Sequence, residues 1–284
     1  MSTPQALNLL PAPQPLPARL LDVIPTLPVG EQRWMADGVT WMERPASVTL
    51  TRAAAGCAPA DVSLTPRGCE DVVIQKAFRL FDALSLATSD WISAHAGSTD
   101  LVETFRLYMS AAFATELLTA AASTGHGFDS DAVAPTGLAF GSAATPLWNA
   151  IAVLESDLAS KLLGTRGYIH LTPGLMSVAI SDGLVRWVGD HWETGLGNIV
   201  VSDAGYVDAP APSGESASAA GEDWVYASGP VWYLATEPDV DGGDFTPESW
   251  TYSTNTVEKW IDASGILVYS PALVSAALAA YARG

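Results

Sequence analysis

Leu147, Ile151, Leu154, Leu158 and Leu162 recur at spacings of four, three, four and four, which is one apolar stripe along an α-helix. Thr145 is placed to cap that helix, Pro146 to open its first turn and Gly164 to stop it. From Leu184 onward the period changes to two. Leu184–Val188, a turn at Gly189-Asp190, His191–Thr194 and Asn198–Val201 read as hairpin strands. Helical spacing in one stretch and strand alternation in the next make the fold class α+β.

Other elements fit around these two. Asp100 is a candidate N-cap with Glu103 at the third helical position. Val102, Phe105, Met109, Ala112, Phe113, Leu117 and Ala120 follow at helical spacing, and Gly125 is the expected stop. Val72 to Ala83 reads as a strand leading into a turn, and Tyr168–Leu171 as a short buried strand. Thr172-Pro173 opens a short helix, Gly174 to Ile180, that Asp182-Gly183 ends. Residues 209–221 form a small-residue loop; Trp224–Ala227 and Val231–Leu234 are strands around Gly229-Pro230. Asp239 to Glu248 is an acidic loop. Thr256–Ile261 and Gly265–Tyr269 are further strands, and Pro271–Tyr281 closes as helix or strand. No internal repeat is visible.

Residues 1–33 carry seven prolines and no aromatic residue. Proline fixes φ and lacks an amide donor, so this stretch is expected to be neither helix nor central strand. It reads as an extended arm of polyproline character. Its leucines, among them Leu9, Leu10, Leu16, Leu20 and Leu21, imply that it lies on its own domain or on a neighbour. In residues 34–70, Asp37-Gly38 between Trp34 and Trp41 suggests a hairpin, Val48–Arg52 alternates like a strand, and Ala53–Glu70 is small and loop-like. Together they read as a long flap.

Lys and Arg number 13 against 31 Asp and Glu, a formal charge of −18, and only three Lys occur. Binding nucleic acid or an anionic membrane requires clustered cations, so both are disfavoured. The longest apolar run, Gly265 to Tyr281, is broken by Pro271 and is short of the roughly 20 residues that span a bilayer. The N-terminus shows no cationic stretch followed by an apolar one, so no signal peptide is expected. Charged residues make up only 15% of a chain that is 49% hydrophobic, where well-behaved surfaces carry about 25–35% charge. Either the core is large or other subunits cover much of the exterior.

Candidate chemistry is thin. His95, His126, His170 and His191 form no H-E-x-x-H pattern, and His170 in its apolar strand reads as a hydrogen-bonded core histidine. Ser142 follows Gly141 but lacks the second glycine of a nucleophile elbow. Gly195-Leu196-Gly197 lacks the third glycine of a dinucleotide fingerprint. Asp239, Asp241 and Asp244 begin like a calcium loop, but Gly243, Asp244 and Trp250 occupy positions that should hold a ligand, the glycine and the bidentate Glu. Cys57 and Cys69 fit neither a redox pair nor a zinc site; they read as two thiols, with a loop disulfide as the other option. No catalytic, cofactor-binding or metal-ligating residue is assigned.

One run of residues is similar to a known family. Gly164, Gly167, Ile169-His170, Gly183-Leu184-Val185-Arg186, Thr194, Gly197, Val200-Val201 and Gly205-Tyr206 follow one another in an order that resembles the major capsid proteins of tailed bacteriophages, in particular an actinobacterial-phage group. Trp224 to Val231 resembles that group's W-V-Y-A-T-G-P-V strand, with Ser228 in place of Thr. The likeness covers roughly residues 100–280 and is shared, at the level of fold, with encapsulin shells.

The resemblance implies an N-terminal arm at 1–33 and an extended loop region at 34–75. A peripheral domain would hold 76–145, with a spine helix at about 100–123. An axial domain would hold 146–250, with a return to the peripheral domain over 251–284. It implies a structural protein, not an enzyme, that forms pentamers and hexamers closing into an icosahedral head around packaged double-stranded DNA, without sequence-specific contact. Portal, scaffold and decoration proteins would be partners, and the virion the location, after assembly in the host cytoplasm. An encapsulin-like shell or another virion component is the alternative. Two departures stand out. No long charged helical segment precedes the arm, so no built-in scaffolding domain is expected. The loop region has no Lys before Lys76, so no Lys–Asn cross-link is expected.

Overall fold

The computed structural model describes residues 19–27, 38–42, 72–87, 98–123, 125–135, 144–162, 165–241, 250–251 and 256–281. After one helical turn at Leu20–Val23, β1 (Val39–Met42), β2 (Val72–Gln75) and β3 (Phe78–Ala87) precede a long helix, Ser98–Thr119. A short turn of helix at Phe128–Asp131 and β4 (Thr145–Pro146) lead into a second long helix, Leu147–Leu162. Then come β5 (Tyr168–Leu171), a helix at Pro173–Ser181, β6 (Val185–Val188), β7 (His191–Thr194), β8 (Ile199–Ser202) and a 3-10 turn at Ala204–Tyr206. The chain finishes with β9 (Glu222–Ser228), β10 (Trp232–Ala235), β11 (Asp239–Asp241), β12 (Trp250–Thr251), β13 (Thr256–Val268) and β14 (Ser275–Ala280).

These strands build three sheets. Seven lie in the order β4-β14-β9-β5-β8-β7-β6, with β5–β8 and β4–β14 parallel. A second sheet is organised on β13: β3 pairs with it from Thr256 to Gly265, while β12, β11 and β10 follow one another along its other edge. The third is the ribbon β1–β2. Val39–Met42 pairs antiparallel with Val72–Gln75, so the 43–71 segment leaves and returns at one point.

Strand β5 shows why the middle of the seven-stranded sheet is largely apolar. Tyr168 and His170 face the cluster around the long helix, where Phe105, Met109, Phe113 and Leu117 pack. Ile169 and Leu171 face the stripe Leu147, Ile151, Leu154, Leu158 and Leu162 of the second helix. Alternate residues thus enter different cores, and a strand buried on both faces loses the polar half of its alternation.

Several expectations hold and several shift. The stripe on the second helix is buried throughout. Thr172 caps the Pro173 helix by accepting the Leu175 amide at 3.3 Å. Thr145-Pro146 does not open the second helix but pairs with β14, and the helix begins at Leu147. The first long helix begins at Ser98, placing Asp100 inside its first turn and not at its N-cap. That helix stops at Thr119, ahead of Gly125, because Ala120 adopts a left-handed φ of 46°. Glu116 then accepts the amides of Ala122 at 3.0 Å and Ser123 at 2.7 Å.

The stretch expected as one strand from Val72 is two, broken at Lys76-Ala77, and the two strands expected after Thr256 are one. β9 and β10 do not form a hairpin: Gly229-Pro230-Val231 carries the chain from one sheet to the other. Asp239–Asp241, expected as loop, pairs with Asp262, Ile261 and Trp260. The absence of helix expected over 1–33 fails at Leu20–Val23, which occupies the proline-free gap between Pro17 and Pro25. Thr256–Val268 joins the sheet of Phe78–Ala87, whereas the final strand lies beside Glu222–Ser228.

Candidate assembly surface

The described root of the proline-rich segment is clamped onto the long helix. Leu20 and Ile24 are buried in the core that Phe105, Met109 and Phe113 line. A helix that short leaves its first amides open, and here they find side-chain acceptors. The Leu20 amide donates to Asp203 Oδ2 at 3.0 Å and the Leu21 amide to Ser110 Oγ at 3.2 Å. The Ser110 hydroxyl donates in turn to Asp203 Oδ2 at 2.6 Å. Asp203 is 1% exposed and its other oxygen accepts the Gly205 amide, which seats the 3-10 turn. Gly205 has to be glycine, because a Cβ there would run into the carbonyl of Ala111 on the helix. Beyond the clamp, Leu27 donates to the Tyr233 carbonyl at 2.8 Å, tying the segment to β10.

A second clamp holds the ribbon. Gln75, 3% exposed, ends β2. Its Nε2 donates to Ser123 Oγ at 3.2 Å and its Oε1 accepts the His126 amide at 3.1 Å. Ser123 is the residue whose amide Glu116 captures at the end of the long helix. Across the ribbon, Gly38 has φ +75° and passes so close to the Gln75 carbonyl that a side chain would collide with it. Both appendages are therefore rooted on one helix, the first near Ser110 and the second just past Thr119.

The opposite end of the seven-stranded sheet is an electrostatic knot under the β6–β7 hairpin. Glu193, 3% exposed, receives His191 Nε2 at 3.1 Å, Arg166 Nη1 at 2.9 Å and, more distantly, Arg186. The hydrogen bond from His191 first, then the two guanidinium groups, hold its carboxyl below the usual range. His191 is raised in return, chiefly by its bond to Asp190. Glu155 accepts from Thr194 Oγ1 and from Asn198 Nδ2, fixing the β7–β8 turn to the second helix. Trp187 and Trp192 stack edge to face at 5.2 Å on the hairpin.

The described histidines each have a structural partner. His170 is 2% exposed between Tyr206 and Ser228. The Ser228 hydroxyl donates to the Gly229 carbonyl, so Nε2–H donates to Ser228 and Nδ1 accepts from Tyr206 at 2.8 Å. Burial lowers its pKa to about 3. It is the core histidine that the sequence implied. His126 bonds Asp131 at 3.1 Å. Asp239 and Asp241 sit in a strand. His95, Cys57, Cys69, Ser142 and Asp244 lie outside the described residues. Among the described residues no three His, Cys, Asp or Glu converge as a metal site, and no helix is long and apolar enough to cross a membrane. Sequence reasoning missed Asp203, Ser110 and Gln75; only Asp203, two residues before a glycine, carried a turn signal.

The exterior keeps large apolar residues on separate elements. Phe81 on the edge strand β3, Tyr108 on the first long helix, Trp148 on the second and Leu196 in the β7–β8 turn are all exposed. Single exposed apolar residues are ordinary. Here they are spread over four different elements.

No family model matches the chain, and no curated protein matches its sequence. The fold is matched by solved structures. A chain from Gordonia phage Cozz is 12% identical at a TM-score of 0.54, over 93% of this chain and 87% of that one. The capsid of an empty GTA particle is 14% identical at 0.52, over 95% and 99%. The capsid of Myoviridae phage XM1 is 12% identical at 0.52, over 94% of each. The α+β fold of these capsid subunits is the fold of this chain, as the residue pattern from Gly164 to Val231 implied.

Proposed function

We propose that this chain is a major capsid protein that self-assembles into pentamers and hexamers of an icosahedral phage head around double-stranded DNA. The observation that carries the reading is the extent of the likeness. Capsid subunits are matched from end to end, over 94–95% of this chain and 94–99% of theirs. The two clamped roots support it, because a subunit that tiles needs appendages whose bases do not yield under load.

In this reading residues 1–33 are the arm, 34–75 the extended loop, 76–145 the peripheral domain with the spine helix, 146–250 the axial domain and 251–284 the return, whose last strand re-enters the seven-stranded sheet. Low charge follows from burial in contacts between copies. The formal charge of −18 keeps the wall from adhering to packaged DNA, so the genome is held by confinement. The protein does no chemistry. Its partners are its own copies, with portal, scaffold and decoration proteins in the virion.

The test is the native mass by light scattering and negative-stain microscopy of the expressed protein. Closed shells, capsomers or hexameric sheets support the reading. A compact monomer at high concentration that turns over a small metabolite overturns it.

A further inference from the structure

The bend of the β6–β7 hairpin overhangs the rest of its sheet. Among the described residues β6 is the edge strand of the seven, and β7 pairs with β8 only at Trp192 and Glu193. Val188 stands opposite His191 at the bend, beyond the reach of that ladder. Side chains on one face tie it back. Arg186 is paired across from Glu193, and His191 lies two residues before Glu193, so the three share a side of the hairpin. Trp187 and Trp192 take the other side.

His191 is held from both edges of its ring. Nδ1 lies 2.8 Å from Asp190 Oδ1, and Nε2 lies 3.1 Å from Glu193 Oε1. Glu193 is buried beside the Arg166 guanidinium at 2.9 Å, with Arg186 at 3.8 Å, and these cations keep it ionised. Asp190 stands in solvent, with 95% of its side chain exposed. Glu155 of the second helix accepts from Thr194 and Asn198 and not from the ring. Ionised carboxylates only accept, and a neutral imidazole has a single N–H. Only the imidazolium makes both bonds.

We propose that the proton on His191 fastens this bend, and that its loss as pH rises releases Asp190 and loosens the bend while Glu193 stays in place. The order of release follows from burial. A buried carboxylate that loses a donor cannot turn to water, so the neutral ring keeps its one N–H on Glu193. The bare Nδ1 lone pair then faces an Asp190 oxygen, and Asp190 is free to swing into solvent. The direction follows from the same contacts. The Asp190 bond first, and the Glu193 bond after it, hold the ring above the ordinary 6.5 although burial opposes them. A raised folded pKa contributes stability that is complete below the unfolded value and is lost as pH climbs through the folded one. The latch is closed in mild acid and opens on the alkaline side, the opposite sense to the buried His170. It acts within one copy and does not depend on the shell reading.

Deuterium exchange at histidine C2–H and at backbone amides, read by mass spectrometry on the full chain from about pH 5.5 to about pH 9, tests it. His191 is expected to titrate with a midpoint above 6.5. Amide protection over Val185–Thr194, corrected for base catalysis of exchange, is expected to fall about threefold across that midpoint, the scale of an exposed ion pair. Protection of the buried strand Tyr168–Leu171 is expected to hold. In Asp190→Asn the carboxamide can accept from Nδ1 or donate to it, so the His191 midpoint should drop and the hairpin profile should flatten. His191→Gln should flatten it too.

A His191 midpoint at or below 6.5 overturns the latch, as does hairpin protection that is flat in wild type. A fall that persists in either variant, or that Tyr168–Leu171 shares, also overturns it. Should His191→Gln disrupt the hairpin outright, Asp190→Asn, altered only at a solvent-exposed side chain, still decides.

Discussion

His170 gives a direct measure of how dry the core between the two long helices is. Its folded pKa of about 3 lies below the ordinary 6.5. Between these values the unfolded chain takes up a proton that the folded chain refuses, so lowering the pH favours unfolding. The stability contributed by the neutral ring is complete above about pH 6.5 and is lost progressively toward pH 3. From pH 7 to pH 5 the loss is about 2 kcal/mol. His170→Gln keeps a donor and an acceptor for Ser228 and Tyr206 and removes the titration. Urea unfolding of both proteins at pH 7 and pH 5 isolates the effect, since every other group is common to the two. Wild type should lose about 2 kcal/mol more than the variant over that interval. Equal losses would mean that water or a compensating charge reaches the ring, and the packing argument for β5 would fail.

Three further outcomes follow from the clamps. Asp203→Ala strips the acceptor from the Leu20 amide, the Ser110 hydroxyl and the Gly205 amide; a destabilisation of about 3 kcal/mol is expected. Hydrogen exchange should show the Leu20 amide losing protection more than the strands of the seven-stranded sheet. Gln75→Leu leaves the His126 amide and Ser123 hydroxyl without their partner, at about 2 kcal/mol; exchange should quicken in Val39–Met42 and Val72–Ile74 before elsewhere. Gly205→Ala has to push the 3-10 turn off Ala111, which should lower stability by about 1–3 kcal/mol in a thermal melt.

The parts of the fold that were legible in the sequence are those set by local periodicity. The stripe from Leu147 to Leu162, the Thr172-Pro173 helix start and the β6–β7 hairpin are each fixed by neighbours within a few residues, and they stand as read. Pairings decided by distant partners were not legible. Thr145-Pro146 looks like a helix opening until β14 arrives beside it. Trp224–Ala227 and Val231–Leu234 look like a hairpin, but β5 and β13 compete for them from far along the chain. The clamps were hidden for the same reason. Asp203 and Ser110 are 93 residues apart, and neither residue type is distinctive. The capsid-like order of residues was legible because, from Gly167 to Ser228, most of it falls in the seven-stranded sheet and its turns, where glycine turns and buried strands leave least latitude.

The siting of both clamps on one helix means that neither appendage can be loaded alone. From Ser110 to Thr119 the helix is a rod of about 14 Å, and its axis can twist or tilt only by carrying both fastenings with it. A load on the Leu20–Val23 turn is thus passed along the helix toward the foot of the ribbon, as a crankshaft joins two journals. Any displacement of the helix is therefore felt at both fastenings in the same instant.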